Sequence, residues 1–150
     1  MIVSLAIGVG MFGVTLCVLM VPTVAMIRIA TSRGRHDFIW PSNTANVLSL
    51  LLIALLLLVA HLANILLWAT LFFLFHEFSH FEDAFYHSAV NYSSLGYGDL
   101  VMSPRWRLLG PLETIDGMVM FGISTALIFA VLSRMIERRL KEHNAARSVT

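Results

Sequence analysis

Two long stretches of the chain, 1–26 and 44–75, contain no Asp, Glu, Lys or Arg. About 20 consecutive apolar residues cross the hydrocarbon core of a bilayer, so each stretch predicts a membrane-spanning helix. The first is expected over 1–29, with Pro22 kinking it. Its Met1-Ile2-Val3-Ser4 start lacks the basic region of a cleaved signal peptide, so it reads as a retained span. Gly8, Gly10 and Gly13 offer a flat surface for close helix approach. The second helix is expected over 44–75, introduced by Pro41-Ser42-Asn43-Thr44, with the aromatic run Phe38-Ile39-Trp40 as an interfacial anchor. In it His61 and Asn64 stand three apart and share a face. At that depth the pair should face protein, forming a bond between helices. A third apolar run begins near Leu108, predicting a helix over 108–137.

Between the second and third spans lies a stretch too polar to cross and too patterned for a loop. Phe81, Ala84, Phe85 and Ala89 recur at helical spacing. Ser79 and Glu82 fit the Ser-x-x-Glu capping box, and Glu82 and Asp83 suit a helix N-terminus. A short helix is expected over 80–93, stopping before Gly96 and Gly98.

Composition fits the pattern. Of 150 residues, 58% are hydrophobic and only 13% charged, too few polar residues to cover a soluble domain. The lone Cys17 excludes an intrachain disulfide. No basic patch interleaved with aromatics suggests nucleic acid as a partner. The basic residues sit unevenly. Arg28, Arg33 and Arg35 flank the 30–43 connector, and Arg134, Arg138, Arg139, Lys141 and Arg147 crowd the C-terminal end. The positive-inside rule puts both on the cytoplasmic side of a plasma (inner) membrane, with 138–150 as a short tail. The N-terminus and the 76–107 region then lie outside.

After the short helix comes Ser93-Ser94-Leu95-Gly96-Tyr97-Gly98-Asp99. This resembles the Thr-Thr-Val-Gly-Tyr-Gly-Asp selectivity filter of the potassium-channel pore-domain family. The resemblance covers an outer helix, a pore helix, the filter loop and an inner helix, roughly 44–137. It implies an all-α membrane protein with three transmembrane helices plus a re-entrant pore helix and filter. It implies a homotetramer, since each chain supplies one pore loop, and potassium as the permeant ion, with no cofactor and no catalysis. Backbone carbonyls replace the water shell of the ion. They face one axis only if the backbone alternates in hand, which glycine permits at Gly96 and Gly98. Ser94, Leu95, Gly96 and Tyr97 would hold K+, and Asp99 would close the motif. Ser93, His87 and Glu113 would support the filter from behind, with His87 bonded to Tyr97 and Glu113 to the filter backbone or Asp99. Gly117 falls at the gating-hinge position, with Gly122 one turn on; helix packing is the alternative for both. Asp116 is expected to face the water-filled cavity.

The sequence departs from the family at two filter positions. Ser94 stands for Thr and loses a methyl, and Leu95 stands for a β-branched Val. Both leave open a weakly selective cation channel or a non-conducting subunit. No span carries regularly spaced arginines, so no voltage sensor is expected. His76, His80 and His87 suggest a response to external pH. One rival motif is present: His76-Glu77-Phe78-Ser79-His80 matches the His-Glu-x-x-His of zinc peptidases, which requires both imidazoles on one helix face. The same ligands suggest, as a third option, a regulatory zinc site at the channel mouth.

Overall fold

The computed structural model describes residues 1–32 and 43–147. The connector with Arg33, Arg35, His36 and Asp37, the Phe38-Ile39-Trp40 anchor, and Pro41 and Ser42 of the expected helix start lie outside the described residues. Four helices make up the architecture: α1 (Ile2–Ser32), α2 (Asn43–Leu74), α3 (Phe81–Tyr92) and α4 (Leu109–Arg147). Among the described residues there is no strand. Stretches Ile2–Val24, Val47–Leu74 and Leu109–Glu137 are long and apolar enough to cross a membrane. The chain is therefore an all-helical membrane protein. The inner helix expected to end at 137 continues to Arg147, so most of the expected tail is helical.

The short helix α3 packs between α2 and α4, and α1 lies against α2 and α4. Trp68, Ala69 and Phe72 of α2, Ala84 and Tyr92 of α3, and Leu109 and Met120 of α4 form the buried centre. Close approach is set by small residues. A Cβ on Gly117 would collide with the backbone of Tyr92, and one on Gly8 would fall 2.7 Å from Leu112 Cδ1. Many large apolar side chains, such as Met118, Phe129 and Leu51, instead point outward from the single chain.

The end of α2 is a Schellman turn. His76 takes a left-handed φ of 57°, its N–H donates to the Phe73 carbonyl at 3.0 Å, and the Glu77 N–H reaches Phe72 at 3.2 Å. This ends the helix inside the His-Glu-x-x-His stretch. His76 and His80 do not share a helical face, and Glu77 instead accepts from the N–H and Oγ of Ser103, at 2.6 and 2.7 Å. Among the described residues no three His, Cys, Asp or Glu side chains gather as a metal site. The zinc-peptidase geometry is not formed, because the turn that delivers the chain to α3 occupies those residues.

Candidate functional site

The predicted capping box is not made. His80, with extended backbone angles, is the N-cap of α3 and gives no side-chain cap bond, while Ser79 lies in the preceding bend. Glu82 and Asp83 do occupy the first turn, where acidic groups complement the helix dipole.

The other end of α3 builds the candidate site. Ser94 adopts a left-handed φ of 60°, unusual for a residue with a Cβ. Its N–H donates to Asn91 at 2.9 Å and that of Leu95 to Val90 at 3.0 Å, a second Schellman turn. The Gly96 N–H reaches the same Val90 carbonyl at 3.2 Å. Three successive N–H groups thus point back into the last turn of α3. In a planar trans peptide the carbonyl lies opposite the N–H, so the carbonyls of Ser93, Ser94 and Leu95 all project away from α3. Gly96 and Gly98 have φ of 60° and 72°, so the left-handed conformation recurs at 94, 96 and 98. The two glycines are those expected from the sequence; Ser94 is an addition, and its conformation comes from the helix cap. Leu95 and Tyr97 are exposed on the single chain, and His87 does not bond Tyr97 as expected, since its two ring nitrogens meet Leu100 and Asn91.

Behind this loop His87 donates Nδ1–H to the Leu100 carbonyl at 2.9 Å, leaving Nε2 to accept from Asn91 Nδ2 at 2.8 Å. Burial pushes the His87 imidazole below its ordinary value of 6.5, against a weaker opposing pull from the Leu100 carbonyl. Tyr86 donates to Asp99 at 2.8 Å; that bond holds the carboxyl below its usual range and pushes the phenol up. A pocket of about 130 Å³ separates α3 from the loop, lined by His87, Asn91, Gly96, Gly98 and Asp99 among others. Ser93 Oγ bonds back to the Ala89 carbonyl at 2.6 Å, within α3.

Both intramembrane acids take partners other than those expected. Glu113 is fully buried and bonds Ser88 Oγ on α3, which also reaches the Ile65 carbonyl of α2 at 2.9 Å. It braces the middle of α3 and touches neither the loop backbone nor Asp99. Asp116 is 1% exposed. It accepts from Trp68 Nε1 at 2.8 Å and from Thr15 Oγ1 at 2.9 Å, so it faces α1 and α2 and no cavity. Each is turned toward the bundle because a carboxyl facing hydrocarbon is costly. Gly117, expected as a hinge, carries the close crossing with α3, and α4 runs unbroken through it and Gly122.

His61 and Asn64 do bond between helices, and Tyr92 at the end of α3 is their shared partner. Asn64 Nδ2 donates to Tyr92 Oη at 3.2 Å and to the Thr15 carbonyl at 3.3 Å. His61 bridges Tyr92 Oη at 3.1 Å and Ser124 Oγ at 2.9 Å. Ser124 donates its own proton to Met120, so His61 Nε2–H donates to Ser124 and Nδ1 accepts from Tyr92. Thr15, Trp68, Ser88, Asn91, Tyr92 and Ser124 carry these contacts without any motif that marks them in the sequence. The one available signal is their polarity in or beside apolar helices.

Three membrane helices, with a short helix and a glycine-bearing loop held between two of them, define the chain as a helical membrane protein with an inserted loop between its last two spans. A family model described as ion channel, of the two-transmembrane type, matches residues 60–134, half of the chain. The chain belongs to this ion channel family. Comparison with curated proteins and with solved structures gave no match.

Proposed function

We propose that this channel is potassium-selective, and that four copies surround one axis with Ser94, Leu95, Gly96, Tyr97, Gly98 and Asp99 as the filter. The observation that carries this reading is the shared direction of the Ser94 and Leu95 carbonyls, fixed by the N–H groups of Leu95 and Gly96 on Val90. Recurrence of the left-handed conformation at every second residue extends that pattern to Gly98. A ladder of such oxygens is what replaces a dehydrated cation's water shell. One strand supplies only one side of the cage, so symmetry must supply the rest. A neighbouring copy would cover the exposed Leu95 and Tyr97. Potassium crosses passively, the protein sits in the plasma membrane, and the basic C-terminal end lies in the cytoplasm with the filter loop toward the outside.

The test is ion flux from proteoliposomes holding the purified protein. Potassium flux well above sodium flux, with block by barium, is the expected result. Equal fluxes of the two ions would replace this reading with a weakly selective cation channel, the outcome that Ser94 and Leu95 would then explain.

A further inference from the structure

The family match begins at residue 60, so α1 lies wholly outside it. Yet α1 is joined to the matched region by polar contacts in the bundle interior. Thr15 is fully buried and meets two helices at once. Its hydroxyl contacts both oxygens of Asp116 on α4, at 3.0 and 2.9 Å. Its carbonyl accepts from Asn64 on α2, and the same Asn64 amide donates to the hydroxyl of Tyr92. Tyr92 is the last residue of α3, and its backbone sits against Gly117. The Schellman turn that aims the Ser94 and Leu95 carbonyls spans Tyr92, since its bonds run from Ser94 back to Asn91 and from Leu95 back to Val90.

We infer that α1 is a working part of the pore: Thr15, through its hydroxyl on Asp116 beside Gly117 and its backbone carbonyl on Asn64, is a positioning residue that holds both ends of Tyr92 and with them the geometry of the 94–99 loop. The inference rests on the filter reading above for its consequence in selectivity, and on contacts alone for the mechanical link. A tyrosine held by its hydroxyl at one end and its backbone at the other cannot pivot. Losing either contact leaves Tyr92 less firmly held, its hydroxyl resting on His61 alone when Asn64 is replaced, and loosens the last turn of α3 against the Gly117 contact. The Val90 bonds to Leu95 and Gly96 are the first to loosen, because they span the turn.

The test compares Thr15→Val, Thr15→Ser and Asn64→Leu with the unaltered protein in proteoliposomes, by two readouts. The first is hydrogen–deuterium exchange of the 94–99 segment. The second is the ratio of potassium to sodium flux. Thr15→Val and Asn64→Leu should each speed exchange of the segment about fivefold, the population change from one lost buried hydrogen bond. They should lower the flux ratio by roughly the same factor. Thr15→Ser keeps the hydroxyl and should match the unaltered protein in both. Unchanged exchange in both Thr15→Val and Asn64→Leu overturns the inference, as does Thr15→Ser behaving like Thr15→Val. If Thr15→Val does not assemble, Thr15→Ala, which also removes the hydroxyl from Asp116, takes its place with the same two outcomes. Should the unaltered protein show no selective flux, the filter reading falls, and exchange alone then tests the link between α1 and the loop.

Discussion

Replacing Gly117 by alanine probes the close crossing of α3 and α4. The added methyl would lie 2.9 Å from the Tyr92 carbonyl carbon and 3.2 Å from its Cα, with the carbonyl oxygen closer still. These are backbone atoms, which cannot swing aside as a side-chain end can. α3 and α4 must separate by roughly 1 Å to reach ordinary contact. Overpacking of this kind costs about 1–3 kcal/mol. For a chain of this size that lowers the thermal midpoint by roughly 2–10 °C. Gly122 is the internal control, since a Cβ there meets nothing within 4 Å of the single chain. Gly122→Ala should be neutral or stabilising by up to about 1 kcal/mol, through helix propensity alone. The assay is thermal unfolding of both purified variants, with potassium flux from vesicles alongside. Gly117→Ala should lose both midpoint and flux, because moving Tyr92 moves the turn that follows it. If Gly117→Ala unfolds and conducts like the unaltered protein, the close-approach argument is wrong. If both variants lose flux with no change in midpoint, bending of α4 is what matters, and packing against Tyr92 does not.

The contacts around α3 set two more expectations. His87 is held below its ordinary 6.5 by burial, so the stability it contributes is full above that value and is lost as pH falls from 6.5 toward the depressed folded value. Protonating Nε2 sets it against the Asn91 amide, so the protection of the 94–101 segment against exchange, corrected for the slower intrinsic exchange at lower pH, should fall on acidification from pH about 7 to about 5, and a His87→Gln variant should show no such step; a step of equal size in that variant assigns the titration elsewhere. Glu113→Gln retains a donor and an acceptor for Ser88 and should cost under about 1 kcal/mol in thermal unfolding, whereas Glu113→Ala leaves a cavity and removes a buried hydrogen bond of Ser88 and should cost about 2–4 kcal/mol; equal losses would show that the carboxylate charge is needed beyond shape and hydrogen bonding.

The long elements are legible because their signal is one-dimensional. A run without charges is a span whatever it packs against, and Gly96 and Gly98 announce left-handed backbone by lacking a Cβ. Ser94 carries no such signal: its conformation is imposed by the Asn91 and Val90 carbonyls at the end of α3. The capping box fails for a related reason. Ser79 and Glu82 have the right spacing, but the chain emerging from the α2 turn enters helical conformation one residue later, after His80. The two acids stand out in the sequence as oddly deep, yet their partners lie on other helices. Asp116 meets a residue 101 positions away. Spacing within one helix cannot report which face of a distant helix arrives there. The His61–Asn64 pair is readable as interhelical for the opposite reason, since depth alone forbids such groups from facing lipid.

The contacts of Asp116 bear on where this protein's smallest self-sufficient unit ends. Removing α1 would strip the Thr15 hydroxyl from the carboxyl and the Thr15 carbonyl from Asn64, leaving Asp116 only the Trp68 bond. An acid facing hydrocarbon costs about 2.5–3.5 kcal/mol on insertion scales. The two-span module is here dependent on the helix that precedes it, so recombination that swaps pore modules between related proteins would have to carry α1 along or replace Asp116 with an apolar residue at the same step.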